Sequence, residues 1–340
     1  MTTELGSLAE LEPALVADGF FDRSDLVARV YIGYCASDGL RRSRKSAPPE
    51  PCGLPAVAYT YEPPVPPRGA YSVGEWRATW SERDYADAVE AVRASIAEGD
   101  VYQVNLVQHL AAPFEGDPRA LAAALAALEP LEPSPLEGDG WTIVSASPEL
   151  VLSRRGNRIR TSPIKGTRPA GVAIDAPKDA AEHVMIVDLE RNDLSRVAKP
   201  GSVRWPELLD ERSLAGVTHL VASVEAELRD GVSLTELLEA VLPGGSVTGC
   251  PKIAALDLIA ALEPVGRGAS MGALGRVYPN GDLDLALTIR TFAVADETIH
   301  LWVGGGIVWD SDPLAEVEES WVKARPLLAA IGTPLPVAVA

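Results

Sequence analysis

Four acidic residues in two segments have the spacing of a divalent-metal site. Asp179 and Glu182 lie three positions apart in KDAAEHVMIVDLERNDL, and Glu316 and Glu319 repeat this spacing in DPLAEVEESWVKAR. Residues three apart share one face of a helix, so each segment would present two carboxylates together. Two such pairs brought into contact would suit Mg²⁺, which binds through few carboxylates and keeps several waters. Each pair is also typical of a solvated helix face, and spacing alone leaves both interpretations open.

A single lysine, Lys165, stands in the stretch TSPIKGTRPA. Pro163 and Pro169 argue against a helix interior, and Gly166 permits unusual dihedral angles or a close backbone approach. The sequence therefore predicts that Lys165 lies on a short turn or at a strand end. Its amine is either solvated on a loop or presented into a cavity.

Two glycine-rich segments are candidates for binding an anion through backbone amides. TIHLWVGGGIVW is a strand candidate, and its glycines Gly304, Gly305 and Gly306 could turn their amides inward as an anion-binding nest or form a tight turn or bulge. PGGSVTGCPK, which contains Ser246, leads into a predicted helix whose first amides would meet a carboxylate or phosphate. This segment does not have the spacing of a P-loop.

Several charged or polar side chains interrupt apolar strand patterns. Arg290 in LTIRTF is either solvated or directed into a site. His219 in VTHLVAS is typical of a core or edge histidine, and Glu149 in SASPELVL is typical of a surface residue at a strand start. Lys323 lies one helical turn beyond Glu319, on the same predicted face.

The elements that must position these residues are a mixture of helices and consecutive strands. Ser81 and Asp84 have the spacing of a helix N-cap, an apolar stripe follows, and Gly99 ends the helix. VYQVNLVQHL alternates as a strand, and TFAVADETIHLWV predicts a hairpin. Many strands in succession favour an α+β fold with antiparallel sheets, flanked by helices, over a parallel βαβ array.

Composition narrows the class of protein. The 340 residues carry a net charge of −18, which disfavours nucleic acid and anionic membranes as partners. No apolar run has the length of a membrane helix, and the N-terminus lacks a signal-peptide pattern. The three cysteines have no metal-ligand spacing and fit a reduced, cytoplasmic setting. Residues 1–75 are proline-rich and uneven, whereas residues 76–335 are regular, which predicts a variable N-terminal segment that contributes to the same domain as the regular part.

Taken together, these segments resemble the chorismate-utilising enzymes. The matching motifs appear in the family's order across about residues 76–330: DVYQVNL, SASPELVL, PIKGTRP, AEHVMIVDLERNDLSRV, VTHLVASV, LPGGSVTGCPK, LTIRTF and GGGIVWDSDPLAEVEES. The resemblance implies a compact α+β domain of packed antiparallel sheets with flanking helices. It also implies Mg²⁺ as cofactor and chorismate, a dianion, as substrate.

The resemblance assigns a role to each candidate residue. Glu182 and Glu319 match the principal metal ligands, and Asp179 and Glu316 match the neighbouring acidic positions. Glu149 matches the general acid that protonates the departing C4 hydroxyl, and His219 matches a histidine near the ring. The expected substrate-binding residues are Arg290, Lys323, Ser246, Gln103, the amides of Gly304, Gly305 and Gly306, and Arg276, which stands where relatives have a tyrosine that binds the pyruvyl carboxylate.

The branch of the family is predicted from two positions. Isochorismate and salicylate synthases resemble one another in having a water-activating lysine where this chain has Gln103, which disfavours hydroxylation. Lysine in PIKGT is the mark of aminodeoxychorismate synthase component I, in which it is thought to act as a nucleophile; this makes Lys165 a catalytic residue.

The resemblance therefore implies amination of chorismate for 4-aminobenzoate and folate synthesis. No glutaminase motif is present, so a separate glutamine amidotransferase subunit is the expected ammonia source. Anthranilate synthase component I and a non-catalytic chorismate-binding protein remain as alternatives.

Overall fold

The structure is a computed structural model that describes residues 1–43, 47–169, 176–214 and 217–336. Within these ranges, the side chains at 165–169, 176–183, 209, 212–214 and 217–219 lie outside the description. The following α-helices are described: α1 (Leu11–Ala17), α2 (Glu82–Glu98), α3 (Leu121–Leu125), α4 (Ala176–Ser195), α5 (Leu234–Val241), α6 (Lys252–Leu262) and α7 (Pro313–Ala330).

Helix α2 begins and ends where the sequence predicts. The Ser81 hydroxyl accepts a hydrogen bond from the amide of Asp84 at the start of α2, and Gly99 ends this helix with a φ of 85°. A left-handed φ is available to glycine without steric cost, which explains the stop. The side chain of Asp312 caps α7 by accepting from the amide of Ala315.

The strands are described next, with bounds as the structure has them. They are β1 (Thr3–Leu5), β2 (Ala28–Ile32), β3 (Val57–Thr60), β4 (Tyr71–Val73), β5 (Arg77–Ala78), β6 (Gln103–Gly116), β7 (Leu136–Gly138), β8 (Trp141–Ser145), β9 (Leu150–Arg155), β10 (Arg158–Ser162), β11 (Ile164–Pro169), β12 (Arg204–Leu214), β13 (Val217–Glu227), β14 (Gly249–Cys250), β15 (Ala273–Val277), β16 (Leu283–Leu287), β17 (Thr291–Ala295) and β18 (Thr298–Ile307).

The strands form two antiparallel sheets. The first sheet has the order β1–β3–β2–β15–β16–β9–β10–β13–β11, with β12 also paired to β13. The second sheet has the order β14–β6–β18–β17–β8–β7, with β4 and β5 paired to β6. Two antiparallel sheets together with helices confirm the predicted α+β class.

One apolar cluster joins the facing sides of the two sheets. It contains Leu152 and Leu285 from the first sheet and Ile143 and Ala293 from the second, so the sheets pack face to face. Two further clusters cover the outer side of the second sheet, where α3 and α7 form one and α2, α6 and α7 contribute to the other. Both faces of the long strand β6 are therefore buried.

The predicted hairpin is present as β17 and β18. Ala295 pairs with Thr298, and the two residues between them, Asp296 and Glu297, have φ values of 49° and 57°. Positive φ at both central positions is the geometry of a type I′ turn, whose twist matches that of the flanking strands. Strand β12, in contrast, has no strand signal in its sequence, because WPELLDERSL carries four charged residues and shows no clean alternation.

Residues before position 76 supply strands to both sheets. β2 pairs with β15 in the first sheet, and β4 pairs with β6 in the second. Among the described residues, no helix combines the length and apolar character needed to cross a bilayer.

Candidate active site

Glu149 lies immediately before the first residue of strand β9, which belongs to the first sheet. Glu149 is only 5% exposed, and its Oε1 accepts a hydrogen bond of 3.0 Å from the hydroxyl of Ser246. Its main-chain carbonyl accepts from the amide of Leu287 on β16, which fixes the backbone. The sequence pattern alone favoured a surface position, and the structure places this carboxyl in the interior.

Arg290 stands at the turn between β16 and β17, close to Glu149. Its φ is 50°, an uncommon value for a residue with a side chain, and its carbonyl accepts from the amide of Ala146. Burial lowers the pKa of Arg290, and the negative charge of Glu149 opposes this effect. A buried acid and a partly buried cation therefore occupy the same corner.

Gly304, Gly305 and Gly306 lie in the regular strand β18, opposite Val107, Leu106 and Asn105 of β6. The strand predicted over TIHLWVGGGIVW is therefore present, and the alternatives of a nest, tight turn or bulge are wrong as local conformations. The run is extended because β6 pairs with it along its whole length. Beyond Leu301, the other edge of β18 has no partner strand among the described residues.

The free edge of β18 still presents backbone amides. The carbonyl of Gly304 accepts a 2.7 Å hydrogen bond from Nζ of Lys323 on α7, so it points away from β6. In an extended strand, the N–H and C=O of one residue point to the same side, and alternate residues share that side. The amides of Gly304 and Gly306 therefore face the free edge, whereas that of Gly305 faces β6.

Three predicted site residues meet over Gly305. A Cβ atom at this position would lie 3.2 Å from Oε2 of Glu316, 3.2 Å from Oε1 of Glu319 and 3.3 Å from Nζ of Lys323. Lys323 also forms an ion pair of 2.8 Å with Glu319. The absence of a side chain at Gly305 thus lets α7 bring two carboxylates and one amine against the sheet.

Polar residues of β6 face the space between the sheets. Gln103 is fully buried, and neither its Nε2 nor its Oε1 has a hydrogen-bond partner within the described structure; Oδ1 of Asn105 is in the same situation. Leaving a buried polar group unpaired costs roughly 1–3 kcal/mol. This arrangement is typical of groups that receive their partner from a bound molecule.

An ion pair in the core holds β6 next to the loop that carries Ser246. Arg267, 1% exposed, donates to both carboxylate oxygens of Glu263, to the carbonyl of Val247 and to the carbonyl of Asn105. Oε1 of Glu263 also accepts from the amide of Val107 on β6. These bonds fix the distance between the polar face of β6 and the corner of Glu149.

Residues 32–329 match the sequence model of the chorismate binding enzyme family. The chain belongs to this family. Anthranilate synthase component 1 of Haloarcula marismortui is 42% identical over 270 residues, 75% of this chain and 55% of that protein. Aminodeoxychorismate synthase component 1 of Klebsiella aerogenes is 40% identical over 272 residues, 74% of this chain and 59% of that protein. The chain thus spans little more than half the length of these curated relatives.

The fold agrees with a solved member of this group. Anthranilate synthase component I from Streptococcus pneumoniae superposes with a TM-score of 0.80 at 24% identity, over 91% of this chain and 84% of that one. This similarity is one of fold. The match to the family model confirms the family that the sequence motifs predict.

Four predicted residues of this chorismate-binding enzyme have side chains outside the description: Lys165, Asp179, Glu182 and His219. Their backbone positions are known. Lys165 lies in β11, opposite Leu220 of β13, and His219 precedes Leu220. Asp179 and Glu182 lie in the first half of α4, as their spacing predicts.

Arg276 has a contact that the sequence did not predict. Its Nε donates to Oε2 of Glu132 at 2.8 Å, and its NH2 donates to Oε1 at 3.2 Å. In the sheet, Arg276 lies opposite Asp284 of β16. Asp284 is three residues before Leu287, whose amide donates to the main-chain carbonyl of Glu149. The side chain already has the buried carboxylate of Glu132 as its partner, which argues against the predicted contact with substrate; that contact stays a prediction.

The described residues fit part of a magnesium site. Glu316 and Glu319 present hard oxygen donors at one point beside Gly305, the donor type that Mg²⁺ prefers. Among the side chains that the structure describes, no group of three or more His, Cys, Asp or Glu residues is arranged to hold a metal ion. The two further predicted ligands, Asp179 and Glu182, lie outside that set.

Glu190 is a site residue that sequence reasoning missed. It lies on α4 and is 2% exposed, and its two oxygens accept from the hydroxyl of Thr161 at 3.2 Å and from the amide of Ser246 at 3.4 Å. The predicted signal on this helix was the pair Asp179 and Glu182, and Glu190 lies two turns further along. Its neighbour Asp193 pairs with Lys252 at 2.6 Å.

Proposed function

We propose that this chorismate-binding enzyme aminates chorismate at C4 to give 4-amino-4-deoxychorismate, a precursor of 4-aminobenzoate. The observation that carries the proposal is the lysine of PIKGT on a strand near the buried acid Glu149. Ser162 pairs with Leu150, the residue after Glu149, and Lys165 follows Ser162 by three positions. A curated relative at 40% identity is named aminodeoxychorismate synthase component 1.

Two displacements account for the reaction. The neutral amine of Lys165 forms a bond to C2 of chorismate while the ring double bond shifts and the C4–O bond breaks. Glu149 gives its proton to the leaving hydroxyl, which departs as water. Ammonia then forms a bond to C4 and expels the lysine amine from C2, and the proton that the added nitrogen loses restores the one given by Glu149. Chorismate and ammonia thus yield aminodeoxychorismate and water. Covalent catalysis divides one difficult substitution into two easier ones.

The remaining residues bind and orient the dianion. Arg290, Lys323 and the free-edge amides of Gly304 and Gly306 supply positive charge and donors for one carboxylate of chorismate. Glu182 and Glu319, with Asp179 and Glu316 beside them, would hold Mg²⁺, which neutralises the other carboxylate when bound. Positive charge is thereby gathered in one pocket of a protein whose net charge is −18.

One buried group, the side chain of Gln103, supports amination rather than hydroxylation. Gln103 is an amide, so it accepts hydrogen bonds but cannot act as the base that would activate water. Its unpartnered atoms suit a small polar molecule such as ammonia. We propose that a separate glutamine amidotransferase subunit supplies ammonia and that His219 lies beside the substrate ring.

Anthranilate synthase component 1 is the second candidate function. It is favoured by a relative of that name at 42% identity, slightly above the value for the aminodeoxychorismate synthase relative. The two reactions differ in the ring position that receives nitrogen, which is para to the carboxylate in one and ortho in the other.

The test is mass and chromatographic analysis of the product formed from chorismate, Mg²⁺ and ammonium. Addition of aminodeoxychorismate lyase should convert the product to 4-aminobenzoate, whereas anthranilate would form without the lyase. Lys165→Ala should lose the para product and keep chorismate binding. Anthranilate as the sole product of the unaltered enzyme would replace the first candidate by the second.

A further inference from the structure

Glu190 connects helix α4 to the loop that contacts Glu149. Its carboxyl group accepts from the hydroxyl of Thr161 on β10 and from the backbone amide of Ser246. The hydroxyl of the same serine donates to Glu149. One residue, Ser246, therefore joins the two buried carboxyl groups, with its amide on one and its hydroxyl on the other.

The loop and the helix are in tight contact at this point. A Cβ atom at Gly245 would lie 2.9 Å from Cβ of Leu189 and 3.6 Å from Oε1 of Glu190. The loop also closes on itself, because the hydroxyl of Thr248 donates to the carbonyl of Gly244 at 2.9 Å. There is consequently little room for Ser246 to move while Glu190 holds its amide.

The charges around Glu190 favour its neutral form. Burial first, and then the charges of Asp193 and Glu149, raise the pKa of Glu190 to about 8, while Lys252 and the hydrogen bond from Thr161 act in the opposite direction. Thr161 and Ser246 contribute only hydrogen bonds. These are the groups that face Glu190 among the described side chains of α4, α6, β10 and the two adjoining loops.

We propose that Glu190 is a positioning residue for the acid Glu149, acting through the amide of Ser246. The inference rests on the proposed role of Glu149 as the group that protonates the leaving hydroxyl. Glu190 touches neither chorismate nor the reacting atoms. It keeps the Ser246 hydroxyl directed at Glu149, so that the proton of Glu149 is on the oxygen that faces the substrate.

The proposal predicts a specific dependence on pH. A neutral Glu190 holds Ser246 without adding charge to the corner. When Glu190 ionises, a negative charge appears beside the protonated Glu149, which becomes a weaker acid and releases its proton less readily. The rate of the chemical step should therefore fall as pH rises through the range in which Glu190 loses its proton.

The experiment compares Glu190→Gln and Glu190→Ala in the full chain, with kcat and KM for chorismate measured from pH 6 to 9. Glutamine keeps an oxygen for the Ser246 amide and has no charge, so Glu190→Gln should retain kcat at pH 7 and lose the decline near pH 8. Glu190→Ala removes both hydrogen bonds and should lower kcat about tenfold or more with KM little changed. Thermal unfolding shows whether each variant is folded.

Glu207→Ala is the matched control. Glu207 lies on β12, and its carboxylate also accepts a hydrogen bond from a serine hydroxyl, that of Ser223 on β13. This variant should leave kcat and its pH profile unchanged. A Glu190→Ala variant with unaltered kcat would overturn the proposal, and so would a Glu190→Gln variant with the same alkaline decline as the unaltered enzyme. If Glu190→Ala fails to fold, the Glu190→Gln profile decides alone.

Glu149→Gln separates this inference from the function on which it depends. Loss of turnover in Glu149→Gln, together with full turnover in Glu190→Ala, would refute the positioning role alone. Full turnover in Glu149→Gln would instead refute the acid role of Glu149, and the inference about Glu190 with it.

Discussion

Gly305→Ala should impair catalysis while leaving the fold intact. The added methyl group would lie 3.2 Å from Oε2 of Glu316, 3.2 Å from Oε1 of Glu319 and 3.3 Å from Nζ of Lys323. Ordinary contacts between non-bonded heavy atoms are about 3.5–4.0 Å, so each of these polar groups must retreat by a few tenths of an ångström. The three groups are the ones proposed to bind Mg²⁺ and one carboxylate of chorismate.

The size of the effect follows from the bonds that must be disturbed. Lys323 holds both Glu319, at 2.8 Å, and the carbonyl of Gly304, at 2.7 Å. Losing one charge-assisted hydrogen bond costs about 1.5–3 kcal/mol, which corresponds to a loss of roughly 10- to 150-fold in kcat/KM. Stability should change by less than about 1 kcal/mol, because the side chains of Lys323 and Glu319 are 43% and 51% exposed.

Gly304→Ala, one residue earlier, should instead act mainly on the stability of the fold. Its Cβ atom would lie 1.9 Å from the carbonyl oxygen of Leu106 and 2.7 Å from Cα of Val107, which are backbone atoms of β6. Strand β18 must then move away from β6 by more than 1 Å, and we expect a destabilisation of about 3 kcal/mol. Gly53→Ala, where a Cβ atom would meet nothing within 4 Å, is the neutral control.

The assay combines three measurements on the same preparations. They are the midpoint of thermal unfolding, kcat/KM for chorismate, and the Mg²⁺ concentration at half-maximal activity. If Gly305→Ala has the activity and the Mg²⁺ dependence of the Gly53→Ala control, the cluster over Gly305 takes no part in binding. A Gly304→Ala variant of unchanged stability would show that the strands tolerate the clash, which contradicts the contact argument.

Three further predictions concern other parts of the molecule. Arg267→Met leaves a buried carboxylate uncompensated, so chemical denaturation should show a loss of about 3–5 kcal/mol. His109 and His300 are hydrogen-bonded at 3.0 Å, and burial lowers their pKa values to about 3 and about 4. Both are neutral when folded, so the free energy of unfolding should fall by about 2 kcal/mol from pH 6.5 to 5.5, and less in a His109→Phe, His300→Phe variant. Arg276→Ala should leave the KM for chorismate unchanged, because this side chain is already paired; a KM raised tenfold in steady-state kinetics would return it to the substrate site.

Local signals predicted the elements well where their own chemistry decides the conformation. The hydroxyl of Ser81 and the left-handed backbone of Gly99 bound α2, and the two residues after Ala295 form the hairpin turn. Each of these features needs only neighbours within a few positions. The motif residues of the family were found for the same reason, since their identities and order are visible in the chain.

Pairing across the fold decided what local signals could not. Gly304, Gly305 and Gly306 suggest a turn by composition, but β6 supplies a complete partner strand and extends them. Glu190 lies on a helix whose acidic spacing drew attention to other positions, and only the approach of the Ser246 loop reveals its contacts. Arg276 likewise meets Glu132 from 144 positions away in sequence, a partner that no spacing rule identifies.

The polar face of β6 links the energetics of the fold to its function. A strand buried on both sides is normally apolar, because each unpaired buried polar group costs roughly 1–3 kcal/mol. Gln103 and Asn105 break this rule with three unpartnered atoms between them. Replacing them by leucine should therefore stabilise the fold if it carried no ligand. Since Arg267 and Glu263 hold this strand against the Ser246 loop, these amides are kept beside the acid corner, where a small polar substrate would satisfy them.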